Sequence, residues 1–447
     1  MSVRLHRVAR RRDLAALHAA RSDRYPCLLE SAVQGTPRAR YDILFASAGE
    51  HLALEADGTL TGRRCRRPGF LANLDEWWSD LATREDGPAP FFGGWFLFLG
   101  YELVGEIEPT LELPPADRNL PIALAIRCPV AVVWDHEADE GWVVAEAGAE
   151  ALARTVHADV TDLGLERGDG SPVAAPTPVV DAPERYAAAL EQIHEYILAG
   201  DVFQVNLSRA WHVPGSFDPA AVYRALRTAN PAPFGGSVRW GDSAVVSSSP
   251  ERLVAVRDHW AETRPIAGTR PRGDGETQDR ALRDELIENV KERAEHIMLI
   301  DLERNDLGRV CEPGTVEVDE LMVVESYAHV HHIVSNVRGR LRPGMRPGQV
   351  IRATFPGGTI TGCPKVRCME IVAELEKTAR GAYTGSFGYL NRDGSMDLNI
   401  LIRTLTVTPE GIGFRAGAGI VADSRFDREL PETEAKARGL LAALGAL

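Results

Sequence analysis

Residues 385–424 read GSFGYLNRDGSMDLNILIRTLTVTPEGIGFRAGAGIVADS, and this stretch decides the fold class. Apolar and β-branched residues gather into runs at Ser386–Leu390, Asn399–Val407, Ile412–Ala416 and Gly419–Ala422, divided by turn residues. Successive strands with no helix between them exclude the regular β-α-β alternation of a parallel sheet. Helical periods do occur on both flanks, at Lys365–Lys377 and Pro431–Leu444, so the class is α+β.

Farther upstream, one long helix is expected from Asp279 to Asn305, with Leu282, Leu286, Val290, Ile297 and Leu299 among its apolar positions. Another helix carries Tyr186, Leu190, Ile193 and Ile197 and ends at Gly200. Strand patterns recur at Ala123–Trp134, Gly141–Ala147, Val202–Trp211, Ala244–Ser249, Leu253–Arg257 and Ile333–Val337. Phe91–Tyr101, with two adjacent glycines in an aromatic run, reads as a bent buried strand. RGDGSPVAAPTPVVDAP at residues 167–183 has neither period and reads as a linker. It divides an N-terminal region, 1–166, from a larger region, 184–447.

The 447 residues carry 50 Lys and Arg against 64 Asp and Glu, a formal charge of −14. An acidic chain of this kind is not expected to bind nucleic acid or an anionic membrane, which demand clustered cations. A few local cations could still hold a small anion. Six scattered cysteines without a CxxC pair suggest reduced thiols in the cytoplasm and argue against zinc. The basic start lacks the apolar segment of a signal peptide, and no run of about 18 apolar residues offers a membrane span.

Several residues could carry chemistry. Glu292 and Glu295 lie three apart on the expected long helix, and Glu429 and Glu432 repeat that spacing. Such pairs project from one helix face, and hard oxygen ligands suit Mg²⁺; singly, they read as solvated charged faces. Glycine clusters at 355–365 (FPGGTITGCPK) and 416–419 (AGAG) could present backbone amides to an anion, but neither fits a nucleotide-binding motif. His332, in VHHIV, could be a general acid or a structural histidine. Arg403 interrupts the apolar run ILIRTL, where an unpaired charge is costly, so a partner carboxylate from protein or substrate is expected.

Taken together, the motifs resemble those of the chorismate-utilising enzymes, the family of anthranilate, aminodeoxychorismate, isochorismate and salicylate synthases. The matching stretches are SSSPERL (247–253), PIAGTRPRG (265–273), KERAEHIMLIDLERNDLGRV (291–310), VHHIVS (330–335), FPGGTITGCPKVRCMEI (355–371), GSFGYL (385–390), MDLNILIRTL (396–405), AGAGIVADS (416–424) and PETEAKAR (431–438). They cover most of residues 184–447 in the family's order, while the first 180 residues resemble the weaker N-terminal half of the ammonia-using members. The resemblance implies a two-domain sandwich with central antiparallel β-sheets and helices outside.

It also implies roles. Glu295 and Glu432 would hold Mg²⁺, with Glu292 and Glu429 reaching it through water and Lys436 beside the ring carboxylate of chorismate. Arg403, Tyr389 and the amides of Gly417, Ala418 and Gly419 would hold the enolpyruvyl carboxylate. Gly268, Thr269 and Thr359 would line the substrate, His332 would protonate the departing C4 hydroxyl, and Glu251 matches a residue with an active-site role in aminodeoxychorismate synthases. Where the water-using members carry a lysine base, this chain has Gln204, which implies ammonia as the nucleophile. Where aminodeoxychorismate synthases usually carry a nucleophilic lysine, it has Ala267, the usual anthranilate synthase form. FPGGTITGCPK and MDLNILIRTL look more like the aminodeoxychorismate type. The expectation is therefore 4-amino-4-deoxychorismate, formed through non-covalent 2-amino-2-deoxyisochorismate, with anthranilate plus pyruvate as the alternative. No GxCxGxQ glutaminase motif is present, so ammonia would come from a separate glutamine amidotransferase subunit. Ser31, Pro233 and Phe234 fall where relatives bind tryptophan.

Overall fold

The computed structural model describes residues 4–33, 40–83, 87, 89–163, 170–273, 275–326 and 330–446; the side chains of residues 269, 271, 291 and 330 are also outside the description. The first three residues of the expected linker, 167–169, fall in an undescribed stretch.

Two antiparallel sheets stack face to face with helices on both outer faces, an α+β architecture. The first sheet runs in the order Arg4–Val8, Glu140–Ala145, Val130–Asp135, Tyr41–Ala46, Cys27–Glu30, Phe234–Trp240, Ser243–Ser249, Thr404–Thr408, Gly411–Ile420, Gln204–Pro214 and Val179–Val180. The second runs Ile266–Pro271, Val330–Arg340, Trp260–Thr263, Arg252–Arg257, Met396–Asn399, Ser386–Asn391, Gly94–Leu99, Ala123–Cys128, His51–Leu54 and Leu60–Gly62. Strands from before and after residues 167–183 thus share both sheets. Residues 170–182 pack along the molecule: the Val173 and Ala175 amides donate to Ala443 and Leu444 carbonyls at 2.9 and 3.0 Å, and Val179–Val180 closes a sheet edge.

Side-chain alternation builds the layers. In Tyr41–Ala46, Ile43 and Phe45 face the inter-sheet core with Phe96, Phe98, Leu124 and Phe387, while Leu44 and Ala46 face the outer helices. The second sheet's outer face buries Leu97, Leu99, Val254 and Leu398 against Phe70–Leu81, Pro347–Thr354 and Val290–Gly308.

Three expectations are corrected. The long helix is two, Glu276–Glu288 and Val290–Gly308, broken at Asn289. The Asn289 side chain accepts from the Glu292 amide at 3.1 Å and caps the second helix, and Val290 and Ile297 are exposed rather than core. Asn399–Val407 is not one strand. Met396–Asn399 belongs to the second sheet and Thr404–Thr408 to the first, and the chain crosses between them at Arg403, whose φ is +52°. The two runs at 412–422 are instead one strand, Gly411–Ile420, because its pairing with Gln204–Pro214 continues without interruption from Gly411 to Ile420.

A second crossing lies beside the first. Ser243–Ser249 ends in one sheet, Arg252–Arg257 begins in the other, and Pro250-Glu251 bridges them. The two crossings are tied together: the Ile400 amide donates to Glu251 O at 3.0 Å, the Ser248 amide to Arg403 O at 3.1 Å, and Ser249 Oγ to Ile400 O at 2.5 Å. Arg403 and Glu251 therefore meet where two neighbouring strands change sheets.

Candidate active site

At that seam lies a cavity of about 170 Å³ lined by Asn206, Pro250, Glu251, Ile266, His332, Thr359, Ile360, Tyr383, Ile402, Arg403, Arg415, Ala416, Gly417 and Lys436. The pairing of Thr404–Thr408 with Gly411–Ile420 stops at Leu405 opposite Phe414. The edge of the longer strand beyond Phe414 thus has no strand partner on that side, and its Ala416–Gly417 portion forms one wall. Lys436, from the helix Phe426–Leu444, reaches that wall and donates to Gly417 O at 3.0 Å.

Electrostatics distinguish the cavity from an ordinary crevice. Burial depresses the pKa of the Arg403 guanidinium, and the Glu251 carboxylate only partly offsets that; among the described residues no carboxylate forms an ion pair with it. Glu251 is shifted the other way. Burial raises it to about 7, although the Thr359 hydroxyl, Arg403, the Ile266 backbone and Lys436 all favour its ionised form. Glu251 Oε1 and Thr359 Oγ1 lie buried without completing a well-formed hydrogen bond. Burial, reinforced by Arg403, lowers His332 to about 4, against a hydrogen bond to the Gly268 backbone. At neutral pH the imidazole is neutral and the carboxyl group retains roughly half its proton, the reverse of their usual states.

Of the residues singled out in the sequence, Glu251, His332, Thr359, Arg403, Gly417 and Lys436 converge on this cavity. From the strand Ile266–Pro271 it is Ile266, not Ala267, that lines it. Gly268 sits at a register shift with φ +68°, where a side chain would collide with Glu292 Oε2. Thr269 pairs through its backbone with His332, and its side chain lies outside the described residues. Gln204 covers Gly419 closely enough to leave no room for a Cβ, and Ala418 is buried in a separate apolar cluster.

Tyr389 is displaced from its expected place. Strand parity turns Phe387 and Tyr389 into the inter-sheet core and Leu390 outward, so Tyr389 cannot reach Arg403's cavity. It lines a second cavity of about 340 Å³ together with Ser31, Pro233 and Phe234. There Ser31 Oγ donates to Pro233 O at 3.0 Å, and Arg252 makes two 2.8 Å bonds to Asp397.

Sequence reasoning missed Tyr383, Asn206 and Arg415. Tyr383 lies in the turn before Ser386–Asn391, outside the strand pattern. Arg415 could have been found by the argument applied to Arg403, a charge inside an apolar strand. It donates to Ser208 Oγ at 2.9 Å, Thr378 Oγ1 at 3.0 Å and Glu376 Oε2 at 3.0 Å. Glu376 also takes a 2.7 Å bond from Arg380, and all three side chains are buried. Burial alone would raise Glu376, but the Arg380 and Arg415 guanidinium groups hold it at about 2. Glu376→Ala leaves two buried cations uncompensated and is expected to destabilise the protein by about 3–5 kcal/mol, read by denaturant unfolding. Its contribution is present above the unfolded carboxylate value and fades as pH falls toward about 2.

The four glutamates expected to serve a metal lie outside the cavity's lining. Glu432 pairs with Lys436 at 2.7 Å, and Glu292 takes a 2.6 Å bond from Arg270. Among the described residues no three His, Cys, Asp or Glu side chains gather closely enough to enclose an ion. Mg²⁺ requires only one or two carboxylates plus water and an anionic substrate. Glu292 Oε2, buried without a hydrogen-bond partner, is a donor of that kind, so the residues present fit this ion.

No helix among the described residues is long and apolar enough to cross a membrane. The model of the chorismate binding enzyme family matches residues 27–442. Anthranilate synthase component 1 of Thermus thermophilus is 42% identical over 425 residues, 93% of this chain and 91% of that one. Aminodeoxychorismate synthase component 1 of Bacillus subtilis is 40% identical over 388 residues, 84% of this chain and 82% of that one. In three dimensions, anthranilate synthase component I from Streptococcus pneumoniae superposes with a TM-score of 0.80 at 32% identity, covering 91% of this chain and 93% of the other. An unpaired arginine facing a protonated glutamic acid at a seam between two sheets is thus found in a chain that belongs to the chorismate-binding enzyme family, and the protein is a chorismate-utilising enzyme.

Proposed function

We propose that the protein aminates chorismate with ammonia, as component I of an aminodeoxychorismate synthase. The observation that carries the amination reading is the pairing of an uncompensated cation, Arg403, with a proton-bearing acid, Glu251, in one small cavity. Arg403 holds the enolpyruvyl carboxylate, with Tyr383 and the open strand edge at Gly417 beside it. Lys436 holds the ring carboxylate. Glu292, Glu295, Glu429 and Glu432 would hold Mg²⁺, which when bound would withdraw electron density through that carboxylate.

Glu251 gives its proton to the departing C4 hydroxyl, which leaves as water. Hydroxide is a poor leaving group, so this proton is decisive. His332, neutral and held by the Gly268 backbone, serves as a hydrogen-bonding partner rather than an imidazolium acid. Gln204 and Ala267 provide neither a base for water nor an amine nucleophile, so ammonia itself attacks at C2. A second ammonia enters at C4 and expels the C2 amine, giving 4-amino-4-deoxychorismate. A glutamine amidotransferase subunit supplies the ammonia.

Anthranilate synthase component I is the second reading, favoured by Ala267 and by the name of the Thermus relative. Incubation with chorismate, Mg²⁺ and ammonium, followed by chromatography, separates them: 4-amino-4-deoxychorismate is expected, and anthranilate with pyruvate would overturn the assignment. The cavity around Ser31, Pro233, Phe234 and Tyr389 is proposed to take tryptophan. Calorimetry should show saturable heat that is lost in Ser31→Trp; no heat with the parent protein would remove tryptophan as its ligand.

A further inference from the structure

The motif DLERNDLGRV carries a buried acid that the mechanism above does not use. Glu303 and Asp306 lie three apart on Val290–Gly308, on one helix face, and both are buried. Asp306 is bonded to Lys365 Nζ, which also donates to Pro356 O at 2.8 Å, so the lysine is committed to Asp306 and the backbone. Glu303 faces Thr263, whose Oγ1 is buried without a well-formed hydrogen bond. A Cβ built on Gly358 would stand 3.2 Å from Glu303 Oε1. Gly358 adjoins Thr359, which lines the catalytic cavity opposite Glu251. Glu303 thus sits directly behind the cavity wall.

We propose that Glu303 is a positioning residue for the proton of Glu251: the two buried carboxyl groups form one titrating unit, in which a negative charge on either holds the proton on the other. The reading rests on Glu251 as acid. Burial first, then Asp306, favour the neutral form of Glu303; Lys365 and Thr263 oppose this, and the Glu251 charge adds to it. Around Glu251 the remaining charged neighbours are Arg403 and Lys436. Two acids in mutual contact with so little compensating charge lose their protons in two steps that belong to the pair. No proton is gained or lost in the sharing itself, since the one leaving Glu303 arrives on Glu251. The consequence is that Glu251 keeps its proton to higher pH than it could alone.

The test uses the full chain with ammonium as nucleophile and follows chorismate disappearance, so it does not depend on which product forms. In E303Q the alkaline limb of the kcat/KM–pH profile is expected to move down by about half to one pH unit, so that activity falls several-fold at the alkaline end and little at the acid end. Glu303→Asp should restore part of the shift. An unmoved limb in a folded E303Q overturns the proposal. If E303Q does not fold, infrared titration of the protonated-carboxyl band in E251Q replaces it. Loss of the Glu251 charge should let Glu303 ionise at lower pH than in the parent, and an unchanged band would overturn the coupling. Should E251Q retain full turnover, the acid role of Glu251 fails, whereas a shifted infrared band would leave the pairing standing.

Discussion

Arg403→Ala will lose most chorismate turnover without losing stability. The guanidinium is buried and lacks an ion-pair partner among the described residues, so in the empty protein it is a destabilising charge. Its removal should leave the melting temperature unchanged or raised. Alanine carries a Cβ as arginine does, so the left-handed backbone at 403 is no more strained in the variant. With substrate present the balance reverses, because a carboxylate would enter a cavity stripped of its cation. Truncating one partner of a desolvated charge pair costs roughly 2–5 kcal/mol, which corresponds to about 30- to 5,000-fold in kcat/KM. The paired measurement is steady-state chorismate consumption and thermal unfolding. Turnover within about threefold of the parent would remove Arg403 from substrate binding.

Glu251→Gln should reduce kcat by about 10²–10⁴-fold, the usual worth of a positioned general acid. The amide keeps the shape of the side chain but has no proton to give. In the parent enzyme kcat/KM should fall as pH rises through about 7, where burial has placed this carboxyl group. The stability sign is equally definite. The folded value lies above the unfolded one of about 4.3, so the contribution of Glu251 is fully present below that value and is lost as pH rises through about 7. Glu251→Gln should therefore be relatively more stable than the parent at pH 8 than at pH 5, while being the less active protein at both. A Glu251→Gln variant that retained turnover would transfer the acid role elsewhere, with His332 the next candidate in reach of the cavity.

Strand runs and glycine-rich turns marked the antiparallel, α+β character, and the motifs around Glu251, His332, Arg403 and Lys436 marked the family. Periodicity failed at two kinds of place. A helix period carries across a capped break, so Asn289 was invisible within the run from Asp279 to Asn305 until its side chain was seen to accept from Glu292. An apolar run also says nothing about which sheet it joins. ILIRTL looks like one strand because both sheets bury its residues, Ile400 against the outer helices and Leu401 between the sheets. The change of sheet at Arg403 became visible only when Met396–Asn399 and Thr404–Thr408 were found with different neighbours. Tyr389 was misplaced for a related reason: its motif was recognised, but the parity of its strand turns it toward Phe91, and Tyr383 takes the cavity position instead.

From the amino-acid order alone came the fold class, the family and the inventory of acids, cations and glycines that chemistry could use. Tertiary structure decided which of them meet and in what protonation state. Glu251 and Arg403 are 152 positions apart and are joined only because two neighbouring strands switch sheets at the same level. Their altered acidities come from burial and from charges brought in by distant segments, and a pKa is a property of that assembled surrounding rather than of the residue that bears it.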